Sequence, residues 1–380
     1  MRALHIITGL GVGGAEQQLR LLLRELPVDC EVVTLTNPGP VADGLLADGV
    51  RVVHLGMAGN RDLSALPRLT ALIERGGYDL VHTHLYRACL YGRIAARLAG
   101  VRAIVATEHS LGERQLEGRP LTGAVRGLYL AGERLGRATV AVSATVAERL
   151  RRWGVPEGRI HLVPNGIDAG AFRFDAAARR RTRALLGLPE DAYVIGGVGR
   201  LAAGKQFGVL IEALAQLPAD CRLLLVGGGP EEAALRQAAR QRGLAGRVVL
   251  AGESPLLPAP RDAQRPPLGA LLSAMDVLAS PSPEEAFGLA AVEGLAAGLP
   301  VRYAACPALE DLPRQSTAGA ERLAPGAASF ARALAALRAA GPRRLDVPGA
   351  VHHYSIARSA RQLTGVYAQA LAPTKGVTRS

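Results

Sequence analysis

Two carboxylates in the spacing E-x7-E, Glu285 and Glu293, frame the stretch of this chain best suited to chemistry. They lie in Met275–Val301, which reads M-D-V-L-A-S-P-S-P-E-E-A-F-G-L-A-A-V-E-G-L-A-A-G-L-P-V. Between them stand Gly288 and Leu289, where a helical pattern begins with Leu289, Val292, Leu295 and Ala296 on one face. The first turn of a helix has backbone N–H groups with no intrahelical acceptor, and its dipole favours negative charge. An anion at that end, with a carboxylate on either side, describes a ligand that carries phosphates between two hydroxyl-rich groups. A nucleotide-sugar fits. The helix dipole alone would also favour both glutamates, so spacing leaves the two readings open.

Other candidates sit at turns. Gly199-Arg200-Leu201 closes the apolar run Tyr193–Val198, and Lys205 follows. An arginine and a lysine just beyond a strand can supply bidentate and point-charge contacts to a diphosphate, although exposed cations are more often only solvated. His84 and His109 fall at the ends of the strand patterns Leu80–Thr83 and Ala103–Thr107. There a buried structural histidine is less expected than in mid-strand. Near the start, Gly9, Gly11 and Gly14 form G-x-G-x-x-G, the dinucleotide fingerprint. That fingerprint needs an acid at the end of the second strand, which here ends Thr34-Leu35-Thr36. A nicotinamide enzyme is therefore disfavoured.

The elements that must hold these residues alternate between strand and helix along the chain. Strand patterns at Arg2–Thr8, Cys30–Thr36, Val50–Leu55, Leu80–Thr83, Ala103–Thr107, Thr139–Ser143 and Ile160–Val163 are separated by helical ones. After a basic helix (Ala176–Leu186) the alternation resumes at Tyr193–Val198, Arg222–Val226, Val248–Leu250 and Val277–Ala279. Repeated strand–helix units predict α/β architecture with parallel sheets, whose ligands sit beyond the carboxyl ends of the strands. A length of 380 residues suits two domains. The segment Gly112–Arg137 reads as a basic amphipathic helix, Ser254–Pro267 as an exposed proline-rich insertion, and Ser355–Ala372 as a final helix.

Composition narrows the class. Formal net charge is +12 with only 4% aromatics, so basic stretches lack the interleaved stacking residues of single-strand binders, and specific nucleic acid is not expected. The four cysteines are scattered without C-x-x-C spacing, which predicts small buried residues rather than a metal ribbon or a disulfide framework. No run approaches a membrane span, and the expected location is the cytoplasm, with peripheral contact at an anionic membrane face as an extension.

The stretch P-S-P-E-E-A-F-G-L-A-A-V-E-G-L-A-A-G-L-P-V closely resembles the donor-binding segment of family-4 glycosyltransferases, retaining enzymes of the two-domain GT-B type. Gly13-Gly14-Ala15-Glu16, V-P-N-G-I-D (163–168) and G-R-L-x-x-x-K (199–205) resemble the same family in the same order. The resemblance implies two Rossmann-like domains facing across a cleft. Residues 1–168 would form the acceptor domain and 169–354 the donor domain; 355–372 would return to the first, and 373–380 would be a disordered tail. It implies Arg200, Lys205 and the N–H groups of Gly288 and Leu289 on the donor phosphates, Glu293 on the ribose, and Glu285 and His109 at the transferred sugar. Gly13, Gly14 and Glu16 would face the cleft, and His84 would be a weaker acceptor-side candidate. No metal or cofactor would be required. The co-substrate would be a nucleotide-diphosphate-sugar, with UDP favoured over GDP or others, and the acceptor a small molecule, glycan or lipid-linked hydroxyl. After Val301 the chain lacks the family's glycine pair, so that loop is expected to take another shape. Competing readings are an epimerase or phosphorylase on the same fold, or a non-catalytic anion- or nucleic-acid-binding protein.

Overall fold

The computed structural model of the chain describes residues 1–59, 62–113, 115–116, 119–254 and 265–373. By its own contacts the chain divides into two compact units. The first comprises Met1–Gly11, Gln18–Pro164 and Ile356–Ser380; the second comprises Val12–Gln17 and Asn165–Ser355.

In the first unit β1 (Arg2–Gly9), β2 (Asp29–Asn37), β3 (Arg51–His54), β4 (Leu80–His84) and β5 (Ala103–Glu108) precede a short antiparallel ribbon, β6 (Gln115–Leu116) and β7 (Arg119–Pro120). Then come β8 (Ala138–Ala141) and β9 (Ile160–Leu162). Among the described residues seven strands form one parallel sheet in the order β3-β2-β1-β4-β5-β8-β9. Strand side chains alternate between faces. Leu4, Ile6, Val33, Val81 and Ile104 accordingly pack one way, against the helices Ala65–Gly76 and Tyr86–Leu98. Ala3, Ile7, Val32, Leu80 and Val105 pack the other way, with Leu19 and Leu23 of the helix Gly14–Glu25. That second cluster also takes in Leu363, Val366, Tyr367 and Ala370 of the C-terminal helix Ile356–Leu371. This helix packs on the first unit, as expected, although Leu371 at its end is exposed.

In the second unit β10 (Tyr193–Val198), β11 (Cys221–Val226), β12 (Val248–Gly252), β13 (Val277–Ser280), β14 (Val301–Tyr303) and β15 (Ala320–Arg322) form a parallel sheet in the order β12-β11-β10-β13-β14-β15. Ile195, Leu223, Leu225 and Val277 bury against Leu210, Leu214, Phe330 and Leu334 of flanking helices.

Several expectations need correction. Gly112–Arg137 is not one helix: the ribbon comes first, and the helix runs only Gly123–Glu133, capped where Thr122 Oγ1 accepts from Val125 N at 3.2 Å. Arg126 donates to the carbonyls of Arg152 and Trp153, and Arg137 to that of Ala372, so these cations serve the carboxyl ends of helices rather than only solvent. Arg114 lies outside the described residues. The basic helix, Ala176–Leu185, likewise uses its charge: Arg179 and Arg183 meet buried Asp276 at 2.6 and 2.8 Å. The Asp276 carboxylate also accepts from Val194 N at 2.8 Å, tying the helix to the start of β10. A periodicity reading sees only the basic face, because the acid it needs comes from ~100 residues away. Cys89, Cys221 and Cys306 are buried and form no disulfide among the described residues, while Cys30 is only half-buried. Of the proline-rich insertion, residues 255–264 lie outside the described residues; its base is closed by Ser254 Oγ donating to the Pro266 carbonyl at 2.8 Å. The expected tail, 374–380, lies outside them too.

Candidate active site

At the carboxyl ends of β10 and β11 two backbones come close enough to bond. Gly199 N donates to Val226 O at 3.0 Å, Leu201 N to Gly228 O at 2.8 Å, and Glu231 N to Leu201 O at 2.9 Å. Gly227 and Gly229 have φ of +138° and +155°, and a Cβ on either would overlap the carbonyl of Gly199 or Leu201. This approach holds Arg200 out, exposed, at the end of the sheet. One turn later Lys205 Nζ lies 2.5 Å from Glu285 Oε1, with the two side chains 33% and 13% exposed. Ser282, buried, fixes the loop between them: its hydroxyl lies 2.8 Å from the Glu284 carbonyl and 3.2 Å from that of Gly204. Sequence reasoning passed over Ser282; its only local signal is its place between two prolines.

The helix Leu289–Ala296 starts at Gly288, whose φ is +100°. A Cβ there would overlap Sγ of Cys306, so two constraints require glycine at this helix entry. Cys306 opens the short helix Pro307–Glu310, and Glu310 Oε1 accepts from its N–H at 2.9 Å. Where the family's glycine pair is missing, a buried thiol and a proline-started turn back the helix entry, and burial pushes that thiol well above its ordinary pKa. Glu293, 7% exposed on the next turn, is pushed by burial up to about 7. At neutral pH this carboxyl is poised between its two forms.

The segment Val12–Gln17 belongs with this second unit. A Cβ on Gly14 would sit 3.3 Å from Leu289 Cδ1, and Gly13 leaves room for the Glu16 carboxylate. Glu16, half-buried, is pushed by burial up to about 7, with Arg200 pulling it back and Glu253 adding to the rise. Glu253 in turn lies beneath Gly228, 2.8 Å from where a Cβ would stand. Gly13, Gly14, Glu16, Arg200, Lys205, Glu285, Gly288, Leu289 and Glu293 therefore fall in one unit.

His84 and His109 belong to the other unit. The expectation that strand-end histidines avoid burial fails for His84, which is fully buried, as are His5 and His82. The register pairs His5 with His82 and His84 with Thr107, and alternation puts all four on one face. His84 Nδ1 lies 3.1 Å from His109 Nε2. Burial lowers the pKa of His5 to about 3 and of His109 to about 4, and holds His82 and His84 well below the ordinary range. All four rings are neutral at pH 7.

Two family models divide the chain: Glycosyltransferase Family 4 matches residues 12–170, and Glycosyl transferases group 1 matches residues 192–339. A D-inositol 3-phosphate glycosyltransferase of Xylanimonas cellulosilytica is 32% identical over 363 residues, covering 87% of this chain and 84% of the relative. A second, from Catenulispora acidiphila, is 33% identical over 364 residues, with 87% and 84% covered. Among solved structures, Anabaena Alr3699/HepE in complex with UDP and glucose superposes with a TM-score of 0.83 at 21% identity, covering 97% of this chain and all of that one. Sucrose-phosphate synthase from Thermosynechococcus elongatus gives 0.75 at 24% identity, covering 97% of this chain and 99% of that one. These likenesses show the GT-B fold. No helix among the described residues is long and apolar enough to cross a membrane.

Proposed function

The chain belongs to glycosyltransferase family 4 and transfers a sugar from a nucleotide-sugar, and from that premise we propose a retaining, metal-independent hexosyltransferase that uses a UDP-sugar. The observation that carries the reading is the Lys205–Glu285 pair at 2.5 Å, with the N-terminus of the helix Leu289–Ala296 and buried Glu293 following it in the chain.

The chemical difficulty is charge growing on the departing diphosphate. Arg200, Lys205 and the first-turn N–H groups at Gly288 and Leu289 are assigned to that charge, where fixed dipoles need no reorganisation. Glu293 is assigned to the ribose hydroxyls and Glu285 to the donor sugar. Once phosphates bind, Lys205 is shared between the two. His109, carried by the first unit, is assigned contact with the transferred sugar. Gly13, Gly14 and Glu16 are assigned close approach to donor and acceptor, and His84 acts through His109. With carboxylates spent on hydroxyl binding, retention is assigned to same-face attack by the acceptor hydroxyl.

UDP is favoured because structural neighbours hold UDP, with glucose or as UDP-glucose. The acceptor is a hydroxyl on a polyol phosphate, glycan or lipid-linked sugar; the first follows the inositol phosphate for which the relatives are named. Thermal melting of wild type and Glu293→Ala against UDP-, GDP-, ADP- and dTDP-sugars, with chelator present, tests the donor side. Ligand at 100 times Kd should add about 2.7 kcal/mol. Stabilisation by UDP-sugars alone, lost in the variant, is expected. A free sugar phosphate or an isomerised nucleotide-sugar as product would replace this reading with the phosphorylase or epimerase.

A further inference from the structure

Four histidines, a tyrosine and a threonine of the first unit form a single hydrogen-bonded file. Thr107 Oγ1 lies 2.7 Å from His82 Nε2, and His82 Nδ1 lies 2.7 Å from the Tyr367 hydroxyl. That hydroxyl is 3.4 Å from His5 Nε2. His5 Nδ1 is 3.0 Å from His84 Nε2, and His84 Nδ1 is 3.1 Å from His109 Nε2. The file ends at His109 Nδ1, which is buried and has no hydrogen-bond partner among the described residues.

The nitrogens of His5, His82 and His84 lie close enough to raise the question of a cation. Ring geometry argues against one. An imidazole aims its lone pair in the ring plane at a metal, whereas the His5 and His84 rings lie edge to edge, 15° from coplanar, with nitrogens 3.0 Å apart aimed at each other, and the His82 and His84 centroids are 4.1 Å apart. Both nitrogens of each ring already serve the file.

A neutral imidazole has one N–H and one lone pair, so it donates at one nitrogen and accepts at the other. Each ring therefore passes direction to the next, and with the Tyr367 hydrogen used within the file only two polarities exist. Tyr367 has one hydrogen to give. Of its two contacts, 2.7 Å to His82 and 3.4 Å to His5, the shorter takes that hydrogen. Tyr367 accordingly donates to His82 Nδ1, and His82 Nε2–H donates to Thr107. The tyrosine oxygen then accepts from His5 Nε2–H, His5 Nδ1 from His84 Nε2–H, and His84 Nδ1 from His109 Nε2–H. The far end agrees: this polarity leaves a bare lone pair at buried His109 Nδ1, whereas the reverse would orphan an N–H there, the costlier fault.

We infer that Tyr367 is a positioning residue that sets the tautomer of His109, so that its ring offers a hydrogen-bond acceptor at Nδ1. The consequence rests on the reading that places His109 at the transferred sugar. A lone pair there selects a hydroxyl and refuses a phosphate or carboxylate oxygen.

The test is imidazole nitrogen NMR of the full chain with ¹⁵N-labelled histidine, the His109 signals being assigned by their absence in His109→Gln. Wild type should show one His109 tautomer, with hydrogen on Nε2. In Tyr367→Phe both polarities orphan one N–H, so His109 should move to a mixture; Thr107→Val cuts the other end with the same expectation, should the first variant not fold. Hydrogen on Nδ1 in wild type, or one unchanged tautomer in both variants, overturns the inference. With UDP-sugar, kcat of Tyr367→Phe should fall about tenfold with donor KM little changed, the worth of one hydrogen bond. A shifted tautomer with unchanged turnover upholds the file and removes His109 from the sugar.

Discussion

Glu293 shows how one side chain can link pH, stability and ligand. Its folded pKa of about 7, against an ordinary 4.5, means the folded chain holds a proton that the unfolded chain releases. Stability from this group is complete below the ordinary value and is lost as pH rises through the folded one, by roughly 3 kcal/mol in all. Glutamine cannot ionise, so Glu293→Gln should match wild type near pH 4.5 and exceed it by about that amount at pH 8. Urea titrations at both pH values check this; an equal gap at both would refute it. In the ribose role proposed for Glu293 the ionised form accepts from the hydroxyls, so nucleotide affinity should weaken as pH falls below 7. Lys205 and Glu285 make a second residue-scale case. Each alanine substitution should reduce turnover by about 10²–10³, as when one oxyanion donor is lost. The double variant should lose less than the sum of the two, because both cuts end the one contact they share. Additive losses in a double-mutant cycle would separate the two roles. Both glutamates were legible from E-x7-E, but not the titration of Glu293, since desolvation depends on neighbours absent from any local spacing.

At the scale of elements, the helix Leu289–Ala296 matters through its entry. The pattern of Leu289, Val292 and Leu295 placed the helix from the chain alone, because side chains three and four apart share a face. Why glycine must open it was not legible. The φ of +100° and the thiol of Cys306 both act at Gly288, and one arrives from another loop. Gly288→Ala should cost about 1–3 kcal/mol, the range for backbone held in a rarely populated region. Pairing it with Cys306→Ala should recover only the part due to overlap, because the dihedral remains. Full recovery in denaturant midpoints would show that φ contributes nothing. The same limit explains the error at Gly112–Arg137, where basic residues at helical spacing concealed a ribbon and arginines that donate to distant carbonyls.

Over the whole molecule, the first unit is closed by the last helix of the chain. Leu363, Val366 and fully buried Tyr367 cover the sheet face that carries Ala3, Ile7 and Val105. A chain ending at Ser355 would expose that face and should fail to form a protease-resistant first unit. Tyr367→Ala, which removes one anchor of this cover, should cost about 3–5 kcal/mol. Limited proteolysis of both forms measures this; a stable truncated first unit would show the helix to be dispensable. Net charge of +12 also reads differently at this scale. Arg179, Arg183 and Arg344 converge on Asp276 and neighbouring carbonyls, so part of the positive charge holds the second unit together.

The chain alone determined what periodicity and local chemistry can encode: alternating strands and helices, the glycine turns, the ordered motifs and thereby the family. Tertiary structure decided which groups meet and in what protonation state. His82 and Tyr367 are 285 positions apart, yet their bond sets a direction that runs through His5 and His84 to His109. No local pattern contains such a pairing. Burial, tautomer and proton affinity belong to an environment that exists only after distant segments have packed.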